Sequence, residues 1–582
     1  MLKLARVTIL ISLMASASSD RVVMTNNGPV QGITVASGNP NIEAFLGIPY
    51  AEPPTGRLRF RKPVPKTPWS GVYDASNLSP PCIQNGTDDF YYIPKLANMS
   101  EDCLYLNIWV PYSRRSTGLK PVLIYIHGGA FNTGSSIQEV LDGTVLSQRG
   151  DILVINLNYR VGVLGFFTSL SDEAVGNFGL HDQVTALRWI KENVKSFGGD
   201  PNHLVLMGNS AGAMAVCGHL VSPLTRHIIK RGILQSGGGI QTMILDDNKR
   251  LLETAEKVSR ITGCADRKFT LKENPKVVVA CLKRLSYMEL SRAEGLLMRG
   301  NPLTFFPRVG DDYLPKPVID LIREGKMEHS DVIIGTNEEE GNFFLAVAIP
   351  QFFGINGHNN VQTINKKLAK QLLTLIFKNT EQTEEKEIAE FYAGSVVNET
   401  SDTFTKALGM SLGDYFIVCN SFYQAEFQSI GNSVYFYVLT RRPSSSPLNG
   451  WMGTTHFDEV QYTFGNPLFD NFTEEEKKFS DRIMDRWINF IRNGSPNIPN
   501  EIQWPKFTLN NTVYLDMNDE ETIRIRPDNY RCEFWRDRFQ ANIRDSDIIH
   551  LRRFITSTAS VVQLPSVLAF LSIIVHYIVK NH

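Results

Sequence analysis

One serine lies in a setting that is typical of an activated nucleophile. Residues 204–207 are apolar, residues 208–212 read Gly-Asn-Ser-Ala-Gly, and residues 213–216 are small or apolar. This is the order of strand, G-x-S-x-G turn and helix, in which the glycines permit a turn sharp enough to present the Ser210 hydroxyl above a sheet. The five-residue pattern arises readily by chance, so its context carries the prediction that Ser210 is a nucleophile.

A second segment could supply hydrogen-bond donors to a developing oxyanion. The predicted strand that ends at residue 126 opens into His-Gly-Gly-Ala-Phe at 127–131, where small residues let backbone N–H groups converge on one point. We expect Gly129, Ala130 and Ala211 to supply these N–H groups as an oxyanion hole. The alternative is a glycine turn that only ends the strand.

A serine hydroxyl is a weak nucleophile, so a base and an orienting acid must accompany it. In this topology the chain order is serine, acid, histidine. A predicted strand at 332–334 leads to three adjacent carboxylates, and spacing alone does not choose among Glu338, Glu339 and Glu340. The candidate base is His456, on a loop after the predicted strand at 434–439. Four histidines precede the serine or crowd it in sequence and fail this order: His127, His181, His203 and His219.

The rest of the chain predicts the scaffold that must position these residues. Short apolar runs rich in β-branched residues fit strands buried on both faces of a mostly parallel sheet. They lie at 122–126, 152–157, 204–207, 233–234, 332–334 and 434–439. Helical patterns lie between them, and the clearest covers 474–493, where Thr473 and Glu476 predict a capping box and Gly494 ends the pattern. Alternating strands and helices predict a doubly wound α/β fold.

Several longer segments resemble the type-B carboxylesterases of the cholinesterase-like α/β-hydrolase superfamily, over about residues 29–539. The segments that carry the resemblance are Phe-Leu-Gly-Ile-Pro-Tyr-Ala at 45–51, Glu-Asp-Cys-Leu-Tyr-Leu-Asn at 101–107, Asn-Tyr-Arg-Val-Gly at 158–162, Gly-Asn-Phe-Gly-Leu-His-Asp-Gln at 176–183 and Phe-Gly-Gly-Asp-Pro at 197–201. The last of these leads into the serine motif. The resemblance implies an α/β-hydrolase fold with a large, mostly parallel sheet flanked by helices, and a single catalytic domain over residues 18–555. It also implies that the chain hydrolyses carboxylic esters.

The resemblance resolves the choice of acid. The family carries a glutamate directly before a glycine in the segment that matches 337–341, which selects Glu340, and its catalytic histidine falls on His456. Alanine at the third oxyanion position keeps the backbone N–H, so the resemblance still implies a working oxyanion hole. The family's three oxyanion glycines fall on Gly128, Gly129 and Ala130.

Seven cysteines are an odd count in a chain that is predicted to be secreted. The resemblance implies three disulfides, Cys82–Cys103, Cys264–Cys281 and Cys419–Cys532. It leaves Cys217 unpaired on a predicted buried helix, where a small core residue is the ordinary interpretation. The family also has a buried ion pair, which the resemblance places at Arg59 and Glu101.

The chain departs from cholinesterases at the positions that bind a cation. Cholinesterases carry a glutamate beside the nucleophile, where this chain has Asn209, and a tryptophan in the first disulfide loop. Residues 82–103 contain no tryptophan but offer three other aromatic residues, Phe90, Tyr91 and Tyr92. The acyl-pocket aromatics of cholinesterases fall near Asn301 and Leu303, which are not aromatic. Without these features the recognition of a quaternary ammonium by aromatic faces is weaker.

We therefore expect a general serine carboxylesterase that acts on a small-molecule ester through a Ser-His-Glu triad. Two alternatives stay open. The first is a choline ester hydrolase, and the second is a non-catalytic adhesion or binding protein, because some relatives have lost the triad. Retention of Ser210, Glu340 and His456 favours an enzyme. No cofactor or metal is expected, because the chain has no H-E-x-x-H, P-loop or dinucleotide motif.

Length and composition exclude several classes of protein. The chain has 582 residues, a net charge of −1, 42% hydrophobic residues and 20% charged residues. These values exclude a disordered chain, a collagen-like chain and a polytopic membrane protein. The near-neutral charge and the lack of a long basic run argue against nucleic-acid binding.

The two ends predict a secretory protein. Residues 1–17 form a predicted signal peptide, with a basic start, an apolar run and a cleavage site after Ala17. Residues 556–582 form an apolar tail with three open interpretations: a GPI signal, a single-pass membrane anchor and a buried helix. The family often dimerises through C-terminal helices, and residues 531–544 are the candidate segment. Seven sequons predict glycosylation, at Asn77, Asn85, Asn98, Asn398, Asn471, Asn493 and Asn510.

Overall fold

The computed structural model describes most of the chain between its two ends. The described residues are 21–35, 42–85, 98–111, 118–239, 248–298, 304–327, 330–354, 363–378, 384–444, 446–465, 472–525, 529–539, 541–544 and 546–548. The predicted signal peptide, the apolar tail, the sequon at Asn471 and the aromatic residues at 90–92 lie outside them, as do Asn301 and Leu303.

The described strands form two sheets. They are β1 (Val22–Thr25), β2 (Gly28–Gln31), β3 (Ile33–Thr34), β4 (Ile42–Pro49), β5 (Tyr73–Asp74), β6 (Tyr105–Pro111), β7 (Lys120–Ile126), β8 (Leu153–Leu157), β9 (Gly199–Asn209), β10 (Arg231–Gln235), β11 (Asp331–Asn337), β12 (Val434–Leu439), β13 (Val513–Met517) and β14 (Thr522–Ile525). Eleven of them form a sheet in the order β14-β13-β12-β11-β10-β9-β7-β8-β6-β4-β3, and β1-β2-β5 form a small separate sheet. The pairing is parallel from β8 to β13 and antiparallel toward both edges.

Helices alternate with the strands along the chain and pack on the large sheet. The α-helices are α1 (Thr144–Gly150), α2 (Gly162–Phe166), α3 (Phe178–Asn193), α4 (Ala211–Val221), α5 (Asn248–Ile261), α6 (Pro275–Arg284), α7 (Tyr287–Met298), α8 (Val318–Arg323), α9 (Glu340–Ala348), α10 (Lys366–Ile376), α11 (Glu385–Ala389), α12 (Ser401–Gly413), α13 (Cys419–Ser429), α14 (Asp458–Phe464), α15 (Glu474–Asn493) and α16 (Asn529–Arg536). Short 3-10 helices cover Gly56–Leu58, Glu139–Leu141, Val194–Phe197, Arg226–Ile228 and Gly450–Met452, and π-helices cover Glu390–Gly394 and Asp414–Val418.

The central strands are buried on both faces, as their apolar runs predict. In β7, Ile124 and Ile126 belong to one hydrophobic cluster, whereas Leu123 and Tyr125 belong to the cluster on the other face. A strand points successive side chains to opposite faces, so a run without polar residues needs a helical layer on each side. The predicted doubly wound α/β-hydrolase fold is confirmed.

Helix α15 has the ends that its sequence predicts. The Thr473 side chain accepts from the Glu476 N–H, the Glu476 side chain accepts from the Thr473 N–H, and Gly494 follows in a left-handed conformation. Its buried residues Phe479, Ile483 and Trp487 enter the second cluster. Reciprocal capping fixes the first turn, and the apolar face places the helix against the sheet.

Three disulfides cross-link the fold in the pairing that the resemblance implies: Cys82–Cys103, Cys264–Cys281 and Cys419–Cys532. Cys217 is free and buried. Arg59 and Glu101 form a nearly buried ion pair in which Arg59 Nε lies 2.7 Å from Glu101 Oε2. Arg59 Nη1 also donates to backbone oxygens at the end of α6, so the pair joins the base of the first disulfide loop to that helix.

Two features of the C-terminal part bear on the predictions. The described helix in the candidate dimer segment is α16, which ends at Arg536 and so covers only the start of 531–544. Among the residues that the structure describes, no helix combines the length and the apolar character that crossing a membrane requires.

Candidate functional site

The candidate residues meet at one edge of the large sheet. Strands β7, β9, β11 and β12 are parallel, and each is followed in the chain by a segment that carries a candidate residue. Since the carboxyl ends of parallel strands lie along one edge, the topology brings these segments together.

Ser210 lies at the sharp turn between β9 and α4. Its φ of 57° and ψ of −126° are outside the usual regions for a residue with a side chain. A Cβ added to Gly208 would lie 2.4 Å from the Gly212 carbonyl carbon, and one added to Gly212 would lie 2.1 Å from the Ile126 oxygen. Only glycine permits these close approaches, which explains why the G-x-S-x-G spacing predicts the turn.

Residues 128–134, which we call the oxyanion loop after the role that the sequence predicts for them, lie against this turn. A Cβ added to Gly128 would lie 3.1 Å from the Ser210 Cβ. Gly129 and Ala130 both have positive φ, at 110° and 53°. Among the described residues, no acceptor is hydrogen-bonded to the N–H groups of Gly129, Ala130 or Ala211. These groups are therefore available to a ligand beside Ser210.

His456 and Glu340 are hydrogen-bonded to each other in a buried setting. His456 Nδ1 lies 2.6 Å from Glu340 Oε2, and the two side chains are 5% and 0% exposed. The other carboxylate oxygen, Oε1, accepts from the Asn337 N–H at 2.7 Å. This pairing leaves His456 Nε2 to act on a reacting group. Although both residues are described, the structure contains no hydrogen bond between Ser210 and His456.

The geometry separates the three adjacent glutamates. Glu340 contacts His456, whereas Glu339 Oε2 accepts from the Thr454 N–H at 2.9 Å. Glu338 is exposed, and its N–H donates to the Leu439 oxygen. Of these three glutamates, only Glu340 therefore contacts the imidazole of His456.

Comparisons with known proteins fit this arrangement. The family model "Carboxylesterase family" matches residues 19–535. Acetylcholinesterase-1 of Trittame loki is 35% identical over 535 residues, which cover 89% of this chain and 94% of that protein. The cholinesterase of Mus musculus is 32% identical, covering 89% and 86%, and the acetylcholinesterase of Leptinotarsa decemlineata is 34% identical, covering 90% and 87%.

The chain belongs to the carboxylesterase family. It is therefore a serine-type carboxylic ester hydrolase with a single α/β-hydrolase domain in the described region.

A second buried carboxylate lies behind the His456–Glu340 pair of this carboxylesterase. Glu459 Oε1 accepts from Asn209 Nδ2 and, at 3.0 Å, from the Ser236 hydroxyl; its Oε2 accepts from Asn337 Nδ2 at 2.7 Å. Burial and the negative charge of Glu340 raise the pKa of Glu459. Glu459 thus ties the residue before Ser210 to the end of β11, three residues before the candidate acid.

Two aromatic rings enclose His456. The ring centres of Phe343 and Phe344 lie 5.6 and 4.9 Å from the imidazole centre. Both residues lie in α9, directly after Glu340-Gly341-Asn342. They form an apolar wall beside the His456 imidazole.

Sequence reasoning missed four residues of this site: Asn337, Phe343, Phe344 and Glu459. The sequence could have indicated Phe343 and Phe344, because they follow the candidate acid Glu340 within one helical turn of α9. The bond between Asn337 and Glu459 joins positions 122 residues apart, and it depends on the tertiary packing of α14 against the end of β11, which no local pattern shows.

One group of side chains in the described residues has the composition of a metal site: His181, Asp311 and Asp312. Its oxygens already have partners. Lys62 Nζ lies 2.6 Å from both carboxylate oxygens of Asp312, and Asn177 Nδ2 donates to Asp311 Oδ2 at 3.0 Å. A lysine ammonium and an amide donor facing the acceptors leave little reason to invoke a cation.

Proposed function

We propose that this chain is a carboxylesterase that hydrolyses carboxylic esters through an acyl-enzyme on Ser210, with His456 as base and Glu340 as the orienting acid. The observation that carries the proposal is the buried 2.6 Å bond between His456 Nδ1 and Glu340. It lies at the same sheet edge as the Ser210 turn and the oxyanion loop. A serine, a histidine and a carboxylate with separate N–H donors are the parts that acyl transfer requires.

In the first half-reaction Ser210 Oγ attacks the ester carbonyl while His456 Nε2 takes the hydroxyl proton. The carbonyl oxygen becomes an oxyanion, which the N–H groups of Gly129, Ala130 and Ala211 stabilise; one such donor is typically worth about 2.7–4 kcal/mol. His456 then returns the proton to the leaving alcohol. In the second half-reaction water replaces Ser210 as the nucleophile, and hydrolysis releases the acid.

Glu340 acts through the imidazole. Because its carboxylate accepts from Nδ1–H, the neutral ring presents an unprotonated Nε2 to Ser210, and the imidazolium that forms is stabilised by a neighbouring negative charge. The serine–histidine hydrogen bond of such sites often tightens only when substrate binds.

The test is hydrolysis of p-nitrophenyl acetate and p-nitrophenyl butyrate by protein purified from expressing cells. Ser210→Ala is the blank, because it removes only the nucleophilic oxygen. We expect turnover by the wild type that is lost in the variant. Equal rates in the two proteins would remove Ser210 from the reaction.

A choline ester hydrolase is the second candidate function, and the names of the relatives favour it. The described site offers the ring of Phe343 near His456 as an aromatic face for a cation. Against it, the residue before the nucleophile is the neutral Asn209, whose amide is occupied by Glu459. Acetylthiocholine hydrolysis at a rate similar to that of the nitrophenyl esters would make this function the better proposal.

The proposed location is extracellular or at the cell surface, through the signal peptide at 1–17. Three disulfides and the relation to cholinesterases fit that compartment. Five of the predicted glycosylation sites are exposed: Asn77, Asn98, Asn398, Asn493 and Asn510. For the tail at 556–582 we propose a GPI signal or a single-pass anchor. Phosphatidylinositol-specific phospholipase C releases the protein from cells in the first case, and leaves it in the membrane pellet in the second.

A further inference from the structure

We propose that Asn132 is a positioning residue that holds the oxyanion loop in the shape required for catalysis. The inference rests on the proposed function, because it concerns the donors that stabilise the oxyanion. Asn132 touches none of the reacting groups and acts through the backbone of Ala130.

The oxyanion loop is strained at its centre. Ala130 and Phe131 have φ of 53° and 61°, so two consecutive residues with side chains occupy the left-handed region. Side chains disfavour this conformation, and two in succession are rare outside sites where the surroundings enforce it. Without support, the loop would relax toward negative φ and turn the Ala130 N–H away from Ser210.

The Asn132 side chain provides that support. Its Nδ2 donates to the Ala130 oxygen at 2.6 Å and to the Phe305 oxygen at 3.1 Å. Its Oδ1 accepts from the Phe305 N–H at 3.3 Å. The amide thus pairs with both backbone groups of Phe305, as a neighbouring strand would, and uses this fixed point to hold the Ala130 carbonyl.

Burial strengthens the hydrogen bonds of the Asn132 amide. Asn132 is 2% exposed and Phe305 is 1% exposed, so water does not compete for their polar groups. The far end of the loop has a separate anchor, since Gln84 accepts from the Gly134 N–H at 2.7 Å and donates to the Gly134 oxygen at 2.9 Å. The Phe131 oxygen accepts from the Gly162 N–H at 2.8 Å, so the backbone also holds this part of the loop. Asn132 is the side chain that holds the Ala130 carbonyl, next to the proposed donor, and Gln84 holds the end of the loop.

The chain offers a matched control in Asn177. This residue is 1% exposed and pairs with the backbone of Arg308 in the same way, through Nδ2 to the oxygen at 2.8 Å and from the N–H to Oδ1 at 2.7 Å. It makes no bond to the oxyanion loop. Asn132→Ala and Asn177→Ala thus remove similar backbone bonds from similar depths, and only the first reaches Ala130. Asn177→Ala also loses the bond to Asp311 Oδ2 and places alanine at a φ of 54°, so its loss of stability should be at least as large as that of Asn132→Ala.

The experiment compares kcat and KM for p-nitrophenyl butyrate in the wild type and the two variants, with melting temperatures as the measure of folding. We expect both variants to melt at lower temperature. We expect Asn132→Ala to lower kcat by about tenfold to a hundredfold with little change in KM, below the full loss of a donor. Asn177→Ala should keep the wild-type kcat in its folded fraction.

Two further variants separate positioning from stability. Asn132→Asp keeps the shape and the acceptor for Phe305 but loses both donated bonds, so the folded fraction of this variant should have a lower kcat than the wild type. Ala130→Gly removes the steric penalty of positive φ. In the Ala130→Gly background, Asn132→Ala should therefore cause a smaller loss of kcat than in the wild type.

Each outcome decides between the two claims. Wild-type turnover that Ser210→Ala does not abolish overturns the proposed function itself. If the wild type is a Ser210-dependent esterase but Asn132→Ala and Asn132→Asp keep its kcat, the inference about Asn132 is wrong. It is also wrong if Asn177→Ala lowers kcat to the same extent, or if Ala130→Gly gives no relief.

Discussion

Two neighbouring carboxylates give the clearest contrast at the scale of residues. The Glu340 carboxylate is bonded to His456 Nδ1, whereas the Glu339 carboxylate, among the described residues, accepts only from the Thr454 N–H. Both are close to the site, both precede Gly341, and they differ in what they touch. A comparison of Glu340→Gln with Glu339→Gln therefore separates the effect of losing the imidazole contact from the general effect of losing a negative charge near the site.

We expect Glu340→Gln to lower kcat/KM for p-nitrophenyl butyrate by about 10³–10⁴-fold. Its Oε1 can still accept from Asn337, which turns the amide nitrogen toward His456 Nδ1 and forces the proton onto Nε2. The ring then cannot accept the Ser210 proton. Glu339→Gln keeps an oxygen for Thr454 and should retain nearly full activity. A similar loss in both variants would contradict the assignment of Glu340.

The sequence could predict part of this site and not the rest. Ser210 and the glycine loop were predictable because their backbone geometry demands particular residue types in adjacent positions. The acid was ambiguous from residues alone, since three glutamates are equivalent in sequence and only the resemblance selected Glu340. Nothing in the sequence indicates Glu459, because whether a carboxylate is buried depends on its neighbours in the folded protein.

At the scale of elements, one contact joins α7 to two distant segments. Glu294, 1% exposed on α7, accepts from the Val163 N–H at 3.0 Å and from Asn85 Nδ2 at 3.0 Å. Asn85 Nδ2 also donates to the Ser291 oxygen at 2.8 Å, so this sequon asparagine is bonded into the fold. Burial outweighs the two accepted bonds and raises the pKa of Glu294 to about 8.

This shift predicts a pH-dependent stability. In an unfolded chain the carboxyl ionises near pH 4.3. Between that pH and about 8 the folded protein keeps a proton that the unfolded chain has released, so the free energy of unfolding falls as pH rises. Relative to Glu294→Gln, the wild type should lose on the order of a few kcal/mol between pH 5 and pH 8.

Urea unfolding midpoints of the wild type and Glu294→Gln at pH 5, 6.5 and 8 test this expectation. The comparison of slopes cancels the other titrating groups that the two proteins share. Parallel curves for the two proteins would show that Glu294 is ionised in the folded state at all three pH values.

The bounds of two central elements were predictable because each has an uninterrupted pattern, apolar in β12 and amphipathic in α15. Strand β12 has the predicted bounds of Val434–Leu439, and α15 has those of Glu474–Asn493. The small sheet of β1, β2 and β5 was not predicted, because its strands have two to four residues and only partial burial. The edge strand β14 has exposed side chains throughout, so its pairing with β13 leaves no apolar pattern.

At the scale of the whole molecule, the cross-links fix how many thiols can react. Six cysteines are paired, and Cys217 is buried in α4 with its Sγ 3.0 Å from Gln424 Oε1. Burial raises the pKa of the Cys217 thiol to about 12, so it carries almost no thiolate at neutral pH. The folded protein should therefore be inert to thiol reagents.

Titration of the native protein with a thiol reagent should find no reactive group, and titration after denaturation without reductant should find one. Cys217→Ala is the control, and it should show none in either state. Three or more thiols in the denatured wild type would mean that a disulfide is absent from the protein in solution.

The central claim is that Ser210 is the nucleophile of the esterase, and covalent labelling tests it most directly. A fluorophosphonate ester reacts when the activated serine oxygen attacks phosphorus and fluoride leaves. We expect one phosphonyl group per chain, located by peptide mass spectrometry on Ser210, with esterase activity falling in proportion to labelling. Full labelling elsewhere, or activity that survives complete modification of Ser210, would contradict the account.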